Sequence, residues 1–229
     1  MRRTRISLLL VLGMLAALLP MGATAPALAA DGLVISGVVD GPLSGGVPKA
    51  VEFYVTADIA DLSIYGFGSA NNGGGSDGEE FTFPAVAATA GEFITVASES
   101  TGFTSFFGFA PTYTSSAANI NGDDAIELFQ SGAVVDVFGD INVDGTGQPW
   151  EYTDGWAYRV NETGPDGSTF VLGNWTFSGV GALNGETTNA GAATPFPIGT
   201  FGSAPPPPTV NMIISGVVDG PLSGGVPKA

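Results

Sequence analysis

Asp140-Ile141-Asn142-Val143-Asp144-Gly145, with Glu151 six residues beyond the glycine, is the stretch whose residue types and spacing best suit chemistry. It satisfies D-x-[DN]-x-[DN]-G-x5-E, the calcium-loop pattern. Alternate side chains can turn oxygens inward, the glycine permits a sharp turn, and a terminal glutamate can chelate through both oxygens. Asp140, Asn142, Asp144 and Glu151 are therefore the candidate calcium ligands. The flanks do not suit a helix–loop–helix hand. Val134–Phe138 reads as strand, Gly147 stands where an aliphatic residue is usual, and Pro149 where the exiting helix would begin. Two readings remain: a calcium-ligating loop between strands, or a polar turn of Asp, Asn and Gly. Asp123, Asp124, Glu127, Asp136, Asp140, Asp144, Glu151 and Asp154 fall within 32 positions. Such packing favours a cation only if the carboxylates converge; on a twisted sheet they can each face water.

Two zeros narrow everything else. With Cys 0 and His 0 there is no His-based triad, no thiol nucleophile, no disulfide and no soft-metal site. A glycosidase needs two acids across a cleft, and 22 acids supply pairs without a distinguishing pattern. A Ser-Lys nucleophile would need Lys49, which no Ser-x-x-Lys precedes. Trp150, Tyr152, Trp156 and Tyr158 share parity, so one extended strand would line them up as a stacking platform for sugars or as core. Asp154-Gly155 is expected to break that strand with a turn. The sequons at Asn161 and Asn174 carry meaning only in a host that glycosylates.

The elements that must position these residues follow from composition and pattern. The chain has 229 residues, 44% hydrophobic, 12% charged and 10% aromatic, which suits a packed core rather than a disordered acidic tail. Met1 to Arg5 is basic, Ile6 to Leu19 is apolar, and Ala27-Leu28-Ala29 offers a cleavage site. This is the secretory signal pattern, with an apolar run shorter than the ~20 residues of a spanning helix. The expected product is exported with no transmembrane segment; a retained anchor is the alternative. Removal of residues 1–29 leaves Lys49, Arg159 and Lys228 against all 22 acids, a net charge of −19. Such a chain repels phosphate backbones, so direct nucleic-acid binding by this region is not expected.

Ile35–Ala50 and Ile214–Ala229 both read ISGVVDGPLSGGVPKA. Between the copies stands Pro205-Pro206-Pro207-Pro208, a stiff spacer of roughly 12 Å. The expected organisation is a signal peptide at 1–29, one domain at 30–202, a Pro-rich linker at 203–211 and a truncated start of a second copy at 212–229. A fragment of a longer tandem-repeat protein is the first reading, a full-length chain with a C-terminal tail the second. Exchange of the tail into a neighbour's first-strand slot is a further hypothesis.

Inside the domain, β-branched and aromatic runs alternate with turn clusters. They fall at Leu33–Val39, Val51–Thr56, Leu62–Gly66, Glu79–Phe83, Glu92–Ala97, Ala125–Gln130, Val134–Phe138, Trp156–Val160 and Trp175–Phe177. Asn71–Gly78 reads as a loop, Ser131-Gly132 as a two-residue hairpin turn, and Thr101–Phe109 as room for a short helical turn. Many short strands at this spacing predict an all-β sandwich.

PKAVEFYVTADIADLSIYGFG, TFPAVAATAGEFITVAS and NINGDDAIELFQSGAVVDVFGD together resemble the bacterial secreted form of the lamin-tail domain. The likeness spans roughly Leu33 to Phe177 and is most specific at Asn121–Leu128 followed by Val134–Asp136. It implies an immunoglobulin-like β-sandwich without catalytic activity. It also implies company: such modules are carried by extracellular nucleases of the endonuclease/exonuclease/phosphatase type and by large surface proteins. Asn71–Gly78 and Trp150–Tyr158 depart from the family pattern. The functional expectation is thus a non-catalytic secreted module that spaces, anchors or binds, with a cell surface or extracellular polymer as partner. The alternatives are an accessory region of a nuclease whose catalytic domain lies beyond residue 229, and a carbohydrate-binding module.

Overall fold

The computed structural model describes residues 32–202. The expected signal, linker and second copy, at 1–29, 203–211 and 212–229, lie outside the described residues. Ten strands form two sheets. In chain order they are β1 Leu33–Leu43, β2 Val47–Val55, β3 Tyr65–Ala70, β4 Phe81–Thr82, β5 Phe93–Ala97, β6 Tyr113–Thr114, β7 Ala125–Gln130, β8 Ala133–Phe138, β9 Gly155–Arg159 and β10 Trp175–Phe177. The first sheet has the order β10-β9-β1-β2-β5-β6 and the second β4-β3-β7-β8. Pairing is antiparallel except between β5 and β6. One helix, α1 Thr101–Phe107, lies against β2. Glu99 starts it by accepting the N–H groups of Gly102 and Phe103.

Period-two alternation builds the interior. Leu33 and Ile35 of β1, Val51, Phe53 and Val55 of β2, and Val96 of β5 join Tyr65, Phe67, Leu128 and Phe138 of the second sheet in the main core. A bulge between Ile35 and Gly37 then shifts the parity of β1, so Val38 continues the inward row. The described residues therefore form an all-β sandwich of two sheets. The outer face of the first sheet carries a second core of Val34, Ala50, Trp156 and Tyr158, covered by Phe103 and Phe106 of α1 and by Leu183, Phe196 and Phe201.

Strand positions read from sequence hold with local corrections. Leu62–Ile64 is a 3-10 turn opened by Asp61, whose side chain accepts the Ser63 N–H, so β3 begins at Tyr65 instead of Leu62 and runs to Ala70. β4 pairs only over Phe81–Thr82 of the expected Glu79–Phe83. β1 and β2 extend further toward their turn than expected, to Leu43 and from Val47, with Asp40 and Lys49 still paired in register. Ser131 and Gly132 both take positive φ, 50° and 80°, the conformation a tight β7–β8 hairpin requires.

Candidate functional site

The calcium-pattern loop follows β8 and crosses toward β9. Its side chains bond the loop's own backbone instead of converging. An Asp140 carboxylate oxygen accepts the Asn142 N–H at 3.0 Å, and Asp144 accepts the Thr146 N–H at 2.9 Å. Glu151 accepts the Gly147 N–H at 2.6 Å and the Thr153 hydroxyl at 3.0 Å. Asn142 is exposed. The bonds from Thr146 hold the exposed Asp144 carboxyl below its usual range. Gly145 does not take a positive φ. A Cβ there would lie 2.5 Å from the Asp123 carbonyl and 2.7 Å from the Trp150 ring, so close packing, not a sharp turn, requires the glycine. Among the described residues no three acidic side chains group to hold a metal. These bonds are those of a polar turn; the calcium shell is the other reading.

A measurement distinguishes them. A site with the ~1 mM affinity of extracellular modules would add about 1.4 kcal/mol at about 10 mM calcium, roughly 3–6 °C in Tm. We expect the melting curves in calcium and in chelator to superimpose; a shift of that size would restore Asp140, Asn142, Asp144 and Glu151 as ligands.

The glycine-rich Asn71–Gly78 segment has a structural place beside this loop. Gly75 donates to the Ile141 carbonyl, and the Asn72 N–H donates to Asp124. Asp124 also accepts the Asn121 N–H, and burial, foremost among its surroundings, raises its pKa. The acid-rich stretch thus joins loops to one another. The four aromatic residues sharing parity divide: Trp150 and Tyr152 enter the main core, Trp156 and Tyr158 the outer one. The turn at Asp154, with φ 46°, separates the pairs. All four rings are buried, so they form no exposed stacking platform.

Sequence reasoning missed three buried polar centres. The first joins the two sheets. Arg159, 1% exposed, projects from β9 to Asp136 of β8, with one guanidinium nitrogen 2.8 and 2.7 Å from its two oxygens. Its Nε donates to the Ile35 carbonyl, its other nitrogen reaches Asp166 at 2.8 Å, and its charge lies 4.5 Å from the centroid of Trp175. Asp136 further accepts the Ile35 and Asp166 N–H groups. Burial pushes the Asp136 pKa up, and Arg159 and these N–H groups pull against it. The second pairs Lys49 with Asp40 at 2.8 Å, and Lys49 also donates to the Ile120 carbonyl. The third surrounds Glu52, 1% exposed, which accepts from Ser36, Tyr158 and Gly199.

One signal in the sequence pointed to the first two centres. Only Lys49 and Arg159 are basic among residues 32–202, and each stands in an apolar strand pattern. Both are spent on internal ion pairs, with side-chain exposures of 13% and 0%. The surface of the described residues consequently presents acids without an exposed base. None of the described helices is long and apolar enough to cross a membrane. Comparison with protein-family models, curated proteins and solved structures found no match for this chain.

Proposed function

We propose that residues 32–202 form a non-catalytic, lamin-tail-like, immunoglobulin-like module of a secreted tandem-repeat protein, with spacing, anchoring or binding as its work. One observation carries the reading. The repeated segment Ile35–Ala50 makes up most of the central β1–β2 hairpin, and beside its internal Asp40–Lys49 pair it takes polar partners from outside: Asp136 on Ile35, Asp154 on Asp40 and Ile120 on Lys49. The same sixteen residues recur at Ile214–Ala229, and repetition of the whole domain is the reading that would give them equivalent partners. The uniformly acidic surface supports a partner other than a nucleic-acid backbone, and keeps neighbouring modules apart by repulsion.

The test combines cleavage with activity. Brief proteolysis of the secreted chain is expected to cut within residues 203–211 and to leave 32–202 intact. The intact fragment should not hydrolyse DNA, RNA or a simple phosphodiester in magnesium or calcium. Early cleavage inside 32–202, or turnover by the fragment, overturns the proposal.

A further inference from the structure

Two loops beyond β8 enclose a cavity of about 250 Å³, whose walls include Asp140, Ile141, Asn142, Ser168, Thr169 and Phe170. One side of it is apolar. Phe170 is half-buried, with its ring centroid 5.6 Å from Phe138 and 6.3 Å from Trp150, both edge-on, and Ile141 also packs against the main core. The rest is polar and unclaimed by the fold. One Asp140 carboxylate oxygen accepts the Asn142 N–H, and the other takes no hydrogen bond from the described residues. The Asn142 amide and the Ser168 and Thr169 hydroxyls likewise bond none of the described residues.

Both loops are tied in place. The Gly75 N–H donates to the Ile141 carbonyl and the Val143 N–H to the Asp140 carbonyl. On the other side, the Asp166 and Gly167 N–H groups donate to Asp136 and to the Val135 carbonyl of β8, and Asp166 pairs with Arg159. The buried Arg159 centre therefore also braces one wall of the cavity, so little ordering is left for a ligand to impose.

We propose that this cavity binds one neutral sugar residue, with Phe170 and Ile141 against the C–H face of the ring and Asp140, Asn142, Ser168 and Thr169 on its hydroxyls. The inference rests on the binding part of the proposed function and names the ligand class. The free polar groups select that class. Sugar hydroxyls both donate and accept; Asp140 accepts, and the Asn142 amide and the two hydroxyls do both. A phosphate, sulfate or acidic sugar calls for a base. The two bases of residues 32–202, Lys49 and Arg159, are spent on Asp40, Asp136 and Asp166. An aliphatic ligand would leave the polar groups desolvated and unpaired. A bare cation would find a single carboxylate in the walls, Asp140. The volume is below the ~300–1,000 Å³ of pockets for drug-sized ligands and suits a single ring backed by an aromatic side chain. This is not the platform expected of Trp150, Tyr152, Trp156 and Tyr158; of those buried rings, Trp150 takes part by bracing Phe170.

Titration of the isotope-labelled secreted chain with single sugars reads the site through amide chemical shifts. The probes are glucose, galactose, mannose, xylose and N-acetylglucosamine, each to about 50 mM in the presence of chelator, with glucuronate and glycerol as controls. At least one sugar is expected to saturate with a Kd of about 1–10 mM, in shifts confined to residues 139–142 and 168–170. Glucuronate should bind at least about tenfold more weakly, because Asp140 repels its carboxylate and no base receives it. Asn142→Ala and Ser168→Ala should each weaken the best sugar about 2–12-fold, for the loss of one hydrogen bond. Both residues are exposed, so the variants should fold as the unmodified chain does. Four results overturn the proposal: no saturable shift with any of the five sugars, glucuronate or glycerol matching them, binding only when calcium replaces the chelator, or unchanged affinity in both variants. Cleavage at residues 203–211 and the lack of phosphodiester turnover do not depend on this cavity. A chain that meets both and binds no sugar loses the sugar site alone.

Discussion

Replacing Arg159 with alanine is expected to cost about 3–5 kcal/mol of folding free energy, because it leaves a carboxyl buried without its charge partner. Asp136 is fully buried, Ile35 loses the donor to its carbonyl, and Asp166 loses its ion pair. A domain of this size has about 5–15 kcal/mol in total, so the variant should be near the limit of folding at room temperature. Arg159→Lys separates charge from geometry. A lysine keeps the cation but has no planar fork with which to reach Ile35, Asp136 and Asp166 together. Its expected cost is intermediate, roughly 1–3 kcal/mol. Urea denaturation at neutral pH measures both. Equal stability of Arg159→Ala and the unmodified chain would remove the inter-sheet role.

Phe53→Ala is expected to have an effect of the same order, about 3–5 kcal/mol, from a different cause. Phe53 is fully buried, with ring centroids 5.2 Å from Phe67 and 5.3 Å from Phe83. Truncation opens a cavity where both sheets meet, and rigid strands on either side limit collapse. The corresponding fall in Tm is roughly 6–20 °C for a domain of this length. Phe53→Leu keeps most of the volume and should cost under about 1.5 kcal/mol. A Phe53→Ala loss no larger than that of Phe53→Leu would place the ring at the margin of the core.

The two predictions differ in how far sequence could have led to them. Phe53 stands in Val51-Glu52-Phe53-Tyr54-Val55, where strand parity alone puts it on a core face. Glu52, one residue away, then has to face the other side. That this side is also buried depends on Phe196 and Phe201, more than 140 residues further on. The parity rule names the two faces of a strand and does not say what covers the second. The same limit applied to Trp156 and Tyr158, whose shared face is real but lies under Leu183, Phe196 and Phe201.

The calcium pattern shows the limit in the opposite direction. Spacing put Asp140, Asn142, Asp144 and Glu151 at positions where oxygens can turn inward. Asp, Asn and Glu side chains can equally bond the N–H two to four residues away, and no spacing rule ranks these outcomes. The backbone path decides, and here it places each acidic carboxylate on a nearby amide.

By itself, then, the sequence determined what depends on near neighbours: the strand runs, the Ser131-Gly132 turn, the repeat of Ile35–Ala50, and the absence of thiol and imidazole chemistry. Tertiary structure alone decided where the few charges go. Arg159 meets Asp136 across 23 residues of chain, and Glu52 meets Gly199 across 147. Alternation and turn propensity act over a few residues, whereas a buried charge must find its partner wherever the fold brings one.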